Sequence, residues 1–358
     1  MFTRLALADC DCGYSAVIDD DEFIFTDLIE TDFAHLSDIS TNTDWMRQAF
    51  NVTKERNRGS YSEMYSIENV YTDPITDGKV EDGTDRNGNP AGLDLVVKAD
   101  LESNMVPVSE IGSNRMDILF GTFRAGMKLT NVPGTCSAFF WYFNDTQEID
   151  MEFLSKDYNS SNSSYPVNLV IQSREAAEMG YNAQITPGFI IAYLPFDPTG
   201  NFHEYRFDFL PGRVLFYADN QFLGRIDGGN VPTHSGHLSL EHWSNGNALW
   251  SGGPPTQNAI TTVSYVKAYF NSSALQRQQD WHGRCRDATV PGAICSIPEV
   301  TATNNTPSGW FFSSQDNMTN NQTVSGMNSA GTTQAPGVFV LSLLATVLVT
   351  AGWGLDIW

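Results

Sequence analysis

The residues best suited to chemistry lie in one short segment near the middle of the chain. From Glu148 to Phe153 the sequence reads EIDMEF, so that three acidic residues alternate with three apolar ones. Successive side chains of a β-strand point to opposite faces, which would place Glu148, Asp150 and Glu152 together on one face. The apolar residues between them would then pack into a core on the other face.

The spacing of these carboxylates is unfavourable for stability. An ordinary amphipathic strand would show the same alternation, but three like charges at two-residue spacing repel one another, and strands are poor in Asp and Glu. Such repulsion raises the pKa of one carboxyl while its neighbour stays ionised. Retaining cleavage of a glycosidic bond needs this combination, with one carboxylate as nucleophile and one carboxylic acid about 5 to 5.5 Å away.

Aromatic residues that could stack on sugar rings occur beside this segment and further along the chain. Five consecutive aromatics, residues 139–143, precede it. The candidate substrate-binding residues are Phe140, Tyr142, Trp243 and Trp250. Each of them could instead belong to the hydrophobic core, and the sequence alone leaves both interpretations open.

The surrounding sequence predicts short strands. Segments such as 92–98 and 263–270 alternate apolar or aromatic with polar residues, and Gly, Pro, Asn and Asp separate such segments. Asp219 and Asn220 stand between two such segments and tolerate the positive φ angles of a tight hairpin turn. Because no helical pattern exceeds three turns, we predict an all-β sandwich or barrel.

The charge balance restricts the partners of the protein. The chain carries 20 Lys and Arg against 42 Asp and Glu, a formal net charge of −22. This excess would repel nucleic acid and other polyanions, so a neutral or cationic partner is favoured. The motifs Gly-X-Ser-X-Gly and His-Glu-X-X-His are absent. We therefore predict no cofactor and no catalytic metal, and leave a structural calcium ion open.

The cysteine pattern allows two disulfide arrangements. Cys10 and Cys12 are too close to bridge to one another easily. One arrangement joins them to Cys285 and Cys295, which ties both ends of one domain together and leaves Cys136 free. A bridge between Cys285 and Cys295 is the alternative, because sequence alone does not fix connectivity.

Eight Asn-X-Ser/Thr sequons, together with the cysteines, predict export from the cell. Asn144 is not taken as a glycosylation candidate, because it lies only four residues before Glu148. The other seven are glycosylation candidates: Asn51, Asn159, Asn162, Asn271, Asn304, Asn317 and Asn321. The hydrophobic stretch within residues 1–18 is too short for a signal peptide, so we expect a truncated or misassigned start.

Composition divides the rest of the chain into three parts. Residues 19–298 carry the strand pattern and form the predicted catalytic domain. Residues 299–336 are rich in Ser, Thr and Asn, which predicts a disordered stalk. Residues 337–358 are a hydrophobic tail with the layout of a GPI-anchor signal, with a membrane span as the alternative. We expect an extracellular protein at the cell surface or cell wall, held to the membrane by this lipid anchor.

The acidic segment resembles the signature of glycoside hydrolase family 16, in the uninterrupted-strand form found in lichenases. Similar stretches extend from about residue 121 to about residue 271, and include a His-X-Tyr segment at His203 and the loop from His242 to Gly246. The resemblance implies a jelly-roll β-sandwich with a concave substrate cleft. It also implies a retaining endo-β-glucanase acting on 1,3-1,4- or 1,3-linked neutral β-glucan.

The resemblance assigns roles by motif position. Glu148 would be the nucleophile, Glu152 the general acid/base and Asp150 the assisting carboxylate. Arg124 and Gly126 stand where lichenases carry an acidic and a basic residue, so the linkage preference is not implied. Two other functions stay open: a cell-wall glucan transglycosylase that uses the same two Glu residues, and a carbohydrate-binding protein without turnover.

Overall fold

The structure is a computed structural model that describes residues 9–75, 90–316 and 318. In these ranges the strands are β1 (Gly13–Ile18), β2 (Asp21–Phe25), β3 (Asp27–Asp32), β4 (Trp45–Arg47), β5 (Phe50–Val52), β6 (Ser62–Tyr65), β7 (Val70–Asp73), β8 (Gly92–Val97), β9 (Met105–Ser113), β10 (Ile118–Lys128), β11 (Cys136–Asn144), β12 (Gln147–Leu154), β13 (Pro166–Ser173), β14 (Phe189–Tyr193), β15 (His203–Leu210), β16 (Arg213–Ala218), β17 (Gln221–Asp227), β18 (His237–Trp243), β19 (Ala259–Ser272) and β20 (Ile294–Ser296). The α-helices are α1 (Lys54–Asn57), α2 (Arg174–Glu178) and α3 (Leu275–Arg284). Short 3₁₀ helices are Ile39–Thr41, Ile67–Asn69, Ser155–Asp157, Ala183–Ile185, Thr306–Gly309 and Phe312–Ser314.

Two large sheets form a sandwich. The eight-stranded sheet has the order β17-β16-β15-β10-β19-β8-β7, and β3 also pairs with β19. The nine-stranded sheet has the order β14-β13-β12-β11-β18-β9-β6-β5, and β4 also pairs with β9. A small sheet, β2-β1-β20, brings the two ends of the described chain together. This architecture confirms the predicted all-β jelly-roll sandwich.

The hydrophobic core lies between the two large sheets. Phe139 of β11 meets Phe207 of β15 across the sandwich, with ring centroids 5.0 Å apart. Ile149 and Met151 of β12 are fully buried in the same cluster. Burial of such a side chain contributes about 1.5 to 3 kcal/mol. The apolar residues of β12 therefore fix which of its faces points outward.

The hairpin predicted around Asp219 and Asn220 is confirmed. Strands β16 and β17 pair antiparallel, and Ala218 lies opposite Gln221. Asp219 has φ 45° and Asn220 has φ 59°, the left-handed values that a tight primed turn requires.

The first of the two disulfide arrangements is confirmed. Cys10 is bonded to Cys295, and Cys12 is bonded to Cys285. Cys136 is free and buried. The bridges tie the segment before β1 to the segment around α3 and β20.

The C-terminal strap, residues 297–316, packs on the outer face of the eight-stranded sheet. Glu299 pairs with Arg124 of β10 at 2.9 Å and with Arg206 of β15 at 2.7 Å. Lys267 of β19 donates to three backbone carbonyl oxygens of the strap, at 2.6 to 2.9 Å. Phe312 is 6% exposed and packs against Tyr14 of β1.

Two predicted boundaries are therefore wrong. The predicted disordered stalk from residue 299 contains an ordered strap through residue 316, because three cations of the sheet and two buried phenylalanines, Phe311 and Phe312, stabilise it. The predicted boundary at residue 18 also fails, since β1 belongs to the folded body.

Several predictions from the sequence lie outside the described residues. They concern residues 1–8, the sequons Asn317 and Asn321, the stalk from residue 319 onward, and the tail 337–358. Within the described ranges no helix is long and apolar enough to cross a membrane.

Candidate active site

Strand β12 presents its carboxylates on the outer face of the nine-stranded sheet. It lies between β11 and β13, and the apolar side chains of its EIDMEF segment are at most 1% exposed. Glu148 and Glu152 are half-buried and Asp150 is 6% exposed on the opposite face. The predicted alternation is therefore confirmed, and the three carboxylates share one face.

A cleft of about 390 Å³ lies over these carboxylates. Strands β6, β11, β12, β13 and β18 supply its floor. Its walls come from three segments outside the strands: residues 57–58, 181–184 and 245–250. The cleft therefore collects side chains from distant parts of the sequence around β12.

Asp150 and Glu148 share a hydrogen bond between their carboxyl groups. Burial raises the pKa of Asp150 well above its usual range, and the neighbouring Glu148 and Glu152 raise it further. Burial raises the pKa of Glu148 to about 8, with the charges of Glu152, Asp145 and Glu110 acting in the same direction, while the hydrogen bond from Asp150 lowers it. The shared proton therefore belongs on Asp150, and Glu148 is the acceptor in this hydrogen bond.

Glu152 lies in a different environment on the same strand. Its Oε1 accepts a hydrogen bond from Trp250 Nε1 at 3.1 Å, and the Cys136 thiol lies 3.8 Å from the same oxygen. Burial raises the pKa of Glu152, while these two donors and the positive charge of Arg58 lower it. Burial dominates, so Glu152 keeps a proton well above the pH at which an exposed glutamic acid loses it.

The three carboxyls can thus perform two tasks at once. Glu148 accepts the hydrogen bond of Asp150, which favours the ionised form of Glu148, and Glu152 holds a proton that it can donate. Paired groups with separated protonation states are the arrangement that general acid catalysis and nucleophilic attack require together.

A second group of carboxyls on this face was not predicted from the sequence. Glu241 of β18 lies opposite Glu110 of β9, and the hydroxyl of Tyr65 donates to Glu241. Glu63 is 3% exposed and accepts from Asn57 at 2.9 Å. Period-two alternation around Glu241, in the stretch LSLEHW, is the one sequence signal that could have found part of this group.

The four candidate binding aromatics do not share one role. Phe140, Trp243 and Trp250 line the cleft, and Phe140 is 7% exposed. Trp250 also donates its indole N–H to Glu152, which the sequence could not indicate. Tyr142 pairs with Glu148 in register but is not among the residues that line the cleft, and its hydroxyl donates to Asp145 at 2.7 Å.

Histidines do not line the cleft in the described part of the chain. His242 is fully buried, with its ring nitrogens 2.9 Å from Leu95 O and 2.8 Å from Thr135 Oγ1. His203 lies 2.7 Å from Asp219. Among the described residues no group of three or more His, Cys, Asp or Glu side chains is arranged to hold a metal ion.

The two residues that depart from the lichenase pattern have structural roles. Arg124 is 1% exposed and binds Glu299 and Pro298 of the strap. Gly126 makes room for Tyr265, whose ring would lie 2.4 Å from an added Cβ. Neither position can therefore contribute a side chain to the cleft.

The described sequons differ in accessibility. Four of them are exposed: Asn51, Asn159, Asn162 and Asn304. Asn271 is half-buried and accepts a hydrogen bond from Thr26 N at 3.2 Å. Asn144 is half-buried as well and accepts from both N and Oγ1 of Thr146.

The comparison with protein families gives one match. The sequence profile described as "Glycosyl hydrolases family 16" matches residues 85–267, slightly more than half of the 358 residues. This range contains the whole acidic segment and most of the strands that border the cleft.

Similar proteins and structures agree with this match. A beta-glucanase of Paenibacillus macerans is 30% identical over 167 residues, which cover 45% of this chain and 58% of that protein. Crh-like protein 2 of Botryotinia fuckeliana is 24% identical over 220 residues, which cover 56% of this chain and 46% of that protein. The catalytic domain of a Thermotoga petrophila endo-1,3-beta-glucanase (laminarinase) has a TM-score of 0.52 at 16% identity, covering 70% of this chain and 99% of that one, which shows a common fold. The match with the Paenibacillus beta-glucanases thus spans about 58% of their own length.

Because its buried carboxyls hold protons, the protein should become less stable as the pH rises. Burial raises the pKa of Glu63 from 4.5 to about 7. Between these values the native protein holds a proton that the unfolded chain releases, so the free energy of unfolding decreases with pH. The side chain of the Glu63→Gln variant stays neutral. Between pH 5 and pH 8 its free energy of unfolding should therefore fall by about 2 kcal/mol less than that of the wild type. Urea denaturation at the two pH values measures this difference.

Glu55→Gln is the matched control, because Glu55 is exposed on α1. Its free energy of unfolding should change between the two pH values by the same amount as that of the wild type. A Glu63→Gln variant with the same pH dependence as wild type would show that Glu63 does not hold this proton.

Proposed function

The chain belongs to glycoside hydrolase family 16, and on that premise we propose that it is a retaining endo-β-glucanase. The observation that carries the proposal is the strand β12, on which Asp150 shares a hydrogen bond with Glu148 while Glu152 has separate hydrogen-bond donors. The proposed substrate is a neutral β-glucan with 1,3-1,4 or 1,3 linkages. The named beta-glucanases among the relatives support this substrate class.

The first step forms a covalent intermediate. The Glu148 carboxylate attacks the anomeric carbon and forms an ester bond to it, while the bond between that carbon and the glycosidic oxygen breaks. Glu152 gives its proton to the departing oxygen, so the leaving chain departs as a neutral alcohol. Asp150 stabilises Glu148 as an anion before attack through their hydrogen bond.

The second step releases the product with the original configuration. Glu152, now a carboxylate, takes a proton from water, and the resulting oxygen attacks the anomeric carbon. The ester bond to Glu148 breaks, and Glu152 is protonated again. Two displacements at one carbon retain its configuration.

The cleft suits a neutral sugar chain. Phe140 and Trp243 offer apolar ring faces along its floor. The net charge of −22 disfavours an anionic polysaccharide, because the protein as a whole would repel it. Both features favour an uncharged polyol whose hydroxyl groups can bond to carboxyl oxygens.

We also propose that the protein is exported and held at the cell surface by a C-terminal lipid anchor. Two disulfides and four exposed sequons support export, because disulfides persist in oxidising compartments. The composition of residues 337–358 supports the anchor. Phosphatidylinositol-specific phospholipase should release the full chain from expressing cells; a protein that stays with the membrane after this treatment would contradict the anchor.

The catalytic proposal predicts products from one class of glucan. The full chain, expressed in a glycosylating host, should convert mixed-linkage 1,3-1,4-glucan or linear 1,3-glucan to short oligosaccharides, resolved by chain length. Glu148→Gln should lower kcat by at least about 10³-fold, because the nucleophile is lost, and should leave the affinity for glucan within a few-fold.

Two outcomes would contradict this prediction. Products longer than the starting oligosaccharides would identify a transglycosylase, in which a second sugar replaces water. Binding of glucan without any turnover by wild type would instead identify a carbohydrate-binding protein.

A further inference from the structure

One oxygen of the Glu152 carboxyl carries both of its hydrogen bonds. Trp250 Nε1 donates to Oε1 at 3.1 Å, and the Cys136 thiol approaches the same atom at 3.8 Å. Glu152 itself lines the cleft. In the part of the chain that the structure describes, no side chain forms a hydrogen bond with its other oxygen, Oε2.

We propose that Trp250 and Cys136 are positioning residues that fix Oε1 of Glu152 as the accepting oxygen and Oε2 as the oxygen that carries the transferable proton. This inference rests on the proposed function, in which Glu152 is the general acid/base. Oε1 accepts from one N–H and one S–H donor, so both of its lone pairs are occupied and it cannot also carry the acid proton. The acid proton therefore sits on Oε2, the oxygen that these donors leave to the substrate.

Trp250 is held in place by its own loop. The backbone N–H of Trp250 donates to Asn247 O at 2.9 Å. Below it, Ser251 donates to Asn245 Oδ1 at 3.0 Å, and Asn245 N donates back to the Ser251 hydroxyl at 3.3 Å. Asn245 is 3% exposed and Ser251 is fully buried. The indole N–H is therefore presented to Glu152 from a fixed support.

Cys136 reaches Glu152 from the neighbouring strand. It begins β11, opposite Leu154 of β12, and is fully buried. Burial raises the pKa of its thiol, so that it keeps its proton and acts as a donor. The thiol also lies 3.7 Å from Ser137 O, which competes for its proton; the ionised form of Glu152 is the stronger acceptor because it is charged. Since thiols are weak donors, the Trp250 bond contributes more.

Several titratable groups surround Glu152 and set the background for this pair. Glu148 and Asp150 lie on its own strand, and Glu241 lies two strands away in the same row of the sheet. Arg58, which follows α1, is the cation whose charge acts on Glu152. Strand β13 places Asn168, which does not titrate, opposite Glu152. Trp250 and Cys136 are thus the neutral donors that act on Glu152 alone among the three carboxyls.

Loss of a donor should raise the pKa of Glu152, because the donors stabilise its ionised form. Trp250→Phe keeps an aromatic ring in the cleft and removes the indole N–H together with the smaller ring. It should move the alkaline limb of the pH profile of kcat/KM upward by about one pH unit. Cys136→Ala should move it in the same direction by less, and Cys136→Ser, which restores a donor, should lie closer to wild type. The kcat of Trp250→Phe on a glucan should fall about tenfold. Its kcat on a substrate with an activated aryl leaving group should change little.

A titration without substrate separates this inference from the proposed function. The ¹³C signal of the Glu152 carboxyl, assigned by its absence in Glu152→Gln, should titrate at higher pH in Trp250→Phe and in Cys136→Ala. Trp281→Phe is the control, because the indole of Trp281 donates to Cys12 O at 3.1 Å, among the disulfide-linked segments. It should leave the titration unchanged.

The two ideas then fail in different ways. If the carboxyl titration moves as expected but wild type cleaves no glucan, the proposed function is wrong and the hydrogen-bond assignment stands. If wild type cleaves glucan but neither variant moves the titration or the alkaline limb, the positioning role is overturned. Equal losses by Trp250→Phe on glucan and on the activated substrate, with an unchanged pH profile, would likewise overturn it and assign Trp250 to sugar stacking.

Discussion

Repulsion between carboxylates on β12 is the constraint on which the rest of this structure depends. Two unit charges 4 Å apart repel by about 4 kcal/mol at an effective dielectric constant of 20. On the other face of β12, three large apolar side chains are buried in the core, and each contributes about 1.5 to 3 kcal/mol. The core therefore holds the strand in register against the repulsion, and the proton on Asp150 removes part of it.

The same balance separates the protonation states that chemistry requires. Asp150 lies between two glutamates and is the most deeply buried of the three, so it takes the proton and donates it toward Glu148. Glu152 differs from Glu148 through contacts with other elements, the loop of Trp250 and the start of β11. A local strand pattern thus becomes a functional site only when distant segments fold over it.

This division explains what the sequence could predict. Period-two alternation is a local signal, so the faces of β12 and the hairpin at Asp219 and Asn220 followed from it. The strap did not, because its stability comes from Arg124, Arg206 and Lys267 on three strands far away in sequence, whereas its own composition resembles a disordered segment. The hydrogen bond from Trp250 to Glu152 could not be predicted for the same reason, because it joins residues 98 positions apart.

The departures from the lichenase pattern have a physical meaning in this fold. Arg124 is committed to the strap, and Tyr265 occupies the space beside Gly126. The proposed function therefore assigns linkage preference to residues that line the cleft, such as 181–184 and 245–250.

The most direct test of the central claim is to trap the covalent intermediate. The protein would be incubated with an activated 2-deoxy-2-fluoro β-glucan oligosaccharide, digested, and examined by mass spectrometry for a peptide that carries the sugar. The account predicts a single label on Glu148, formed by wild type and absent from a Glu148→Gln variant. A label on Glu152 or Asp150, or cleavage of glucan with inversion at the anomeric carbon and no labelled peptide, would contradict it.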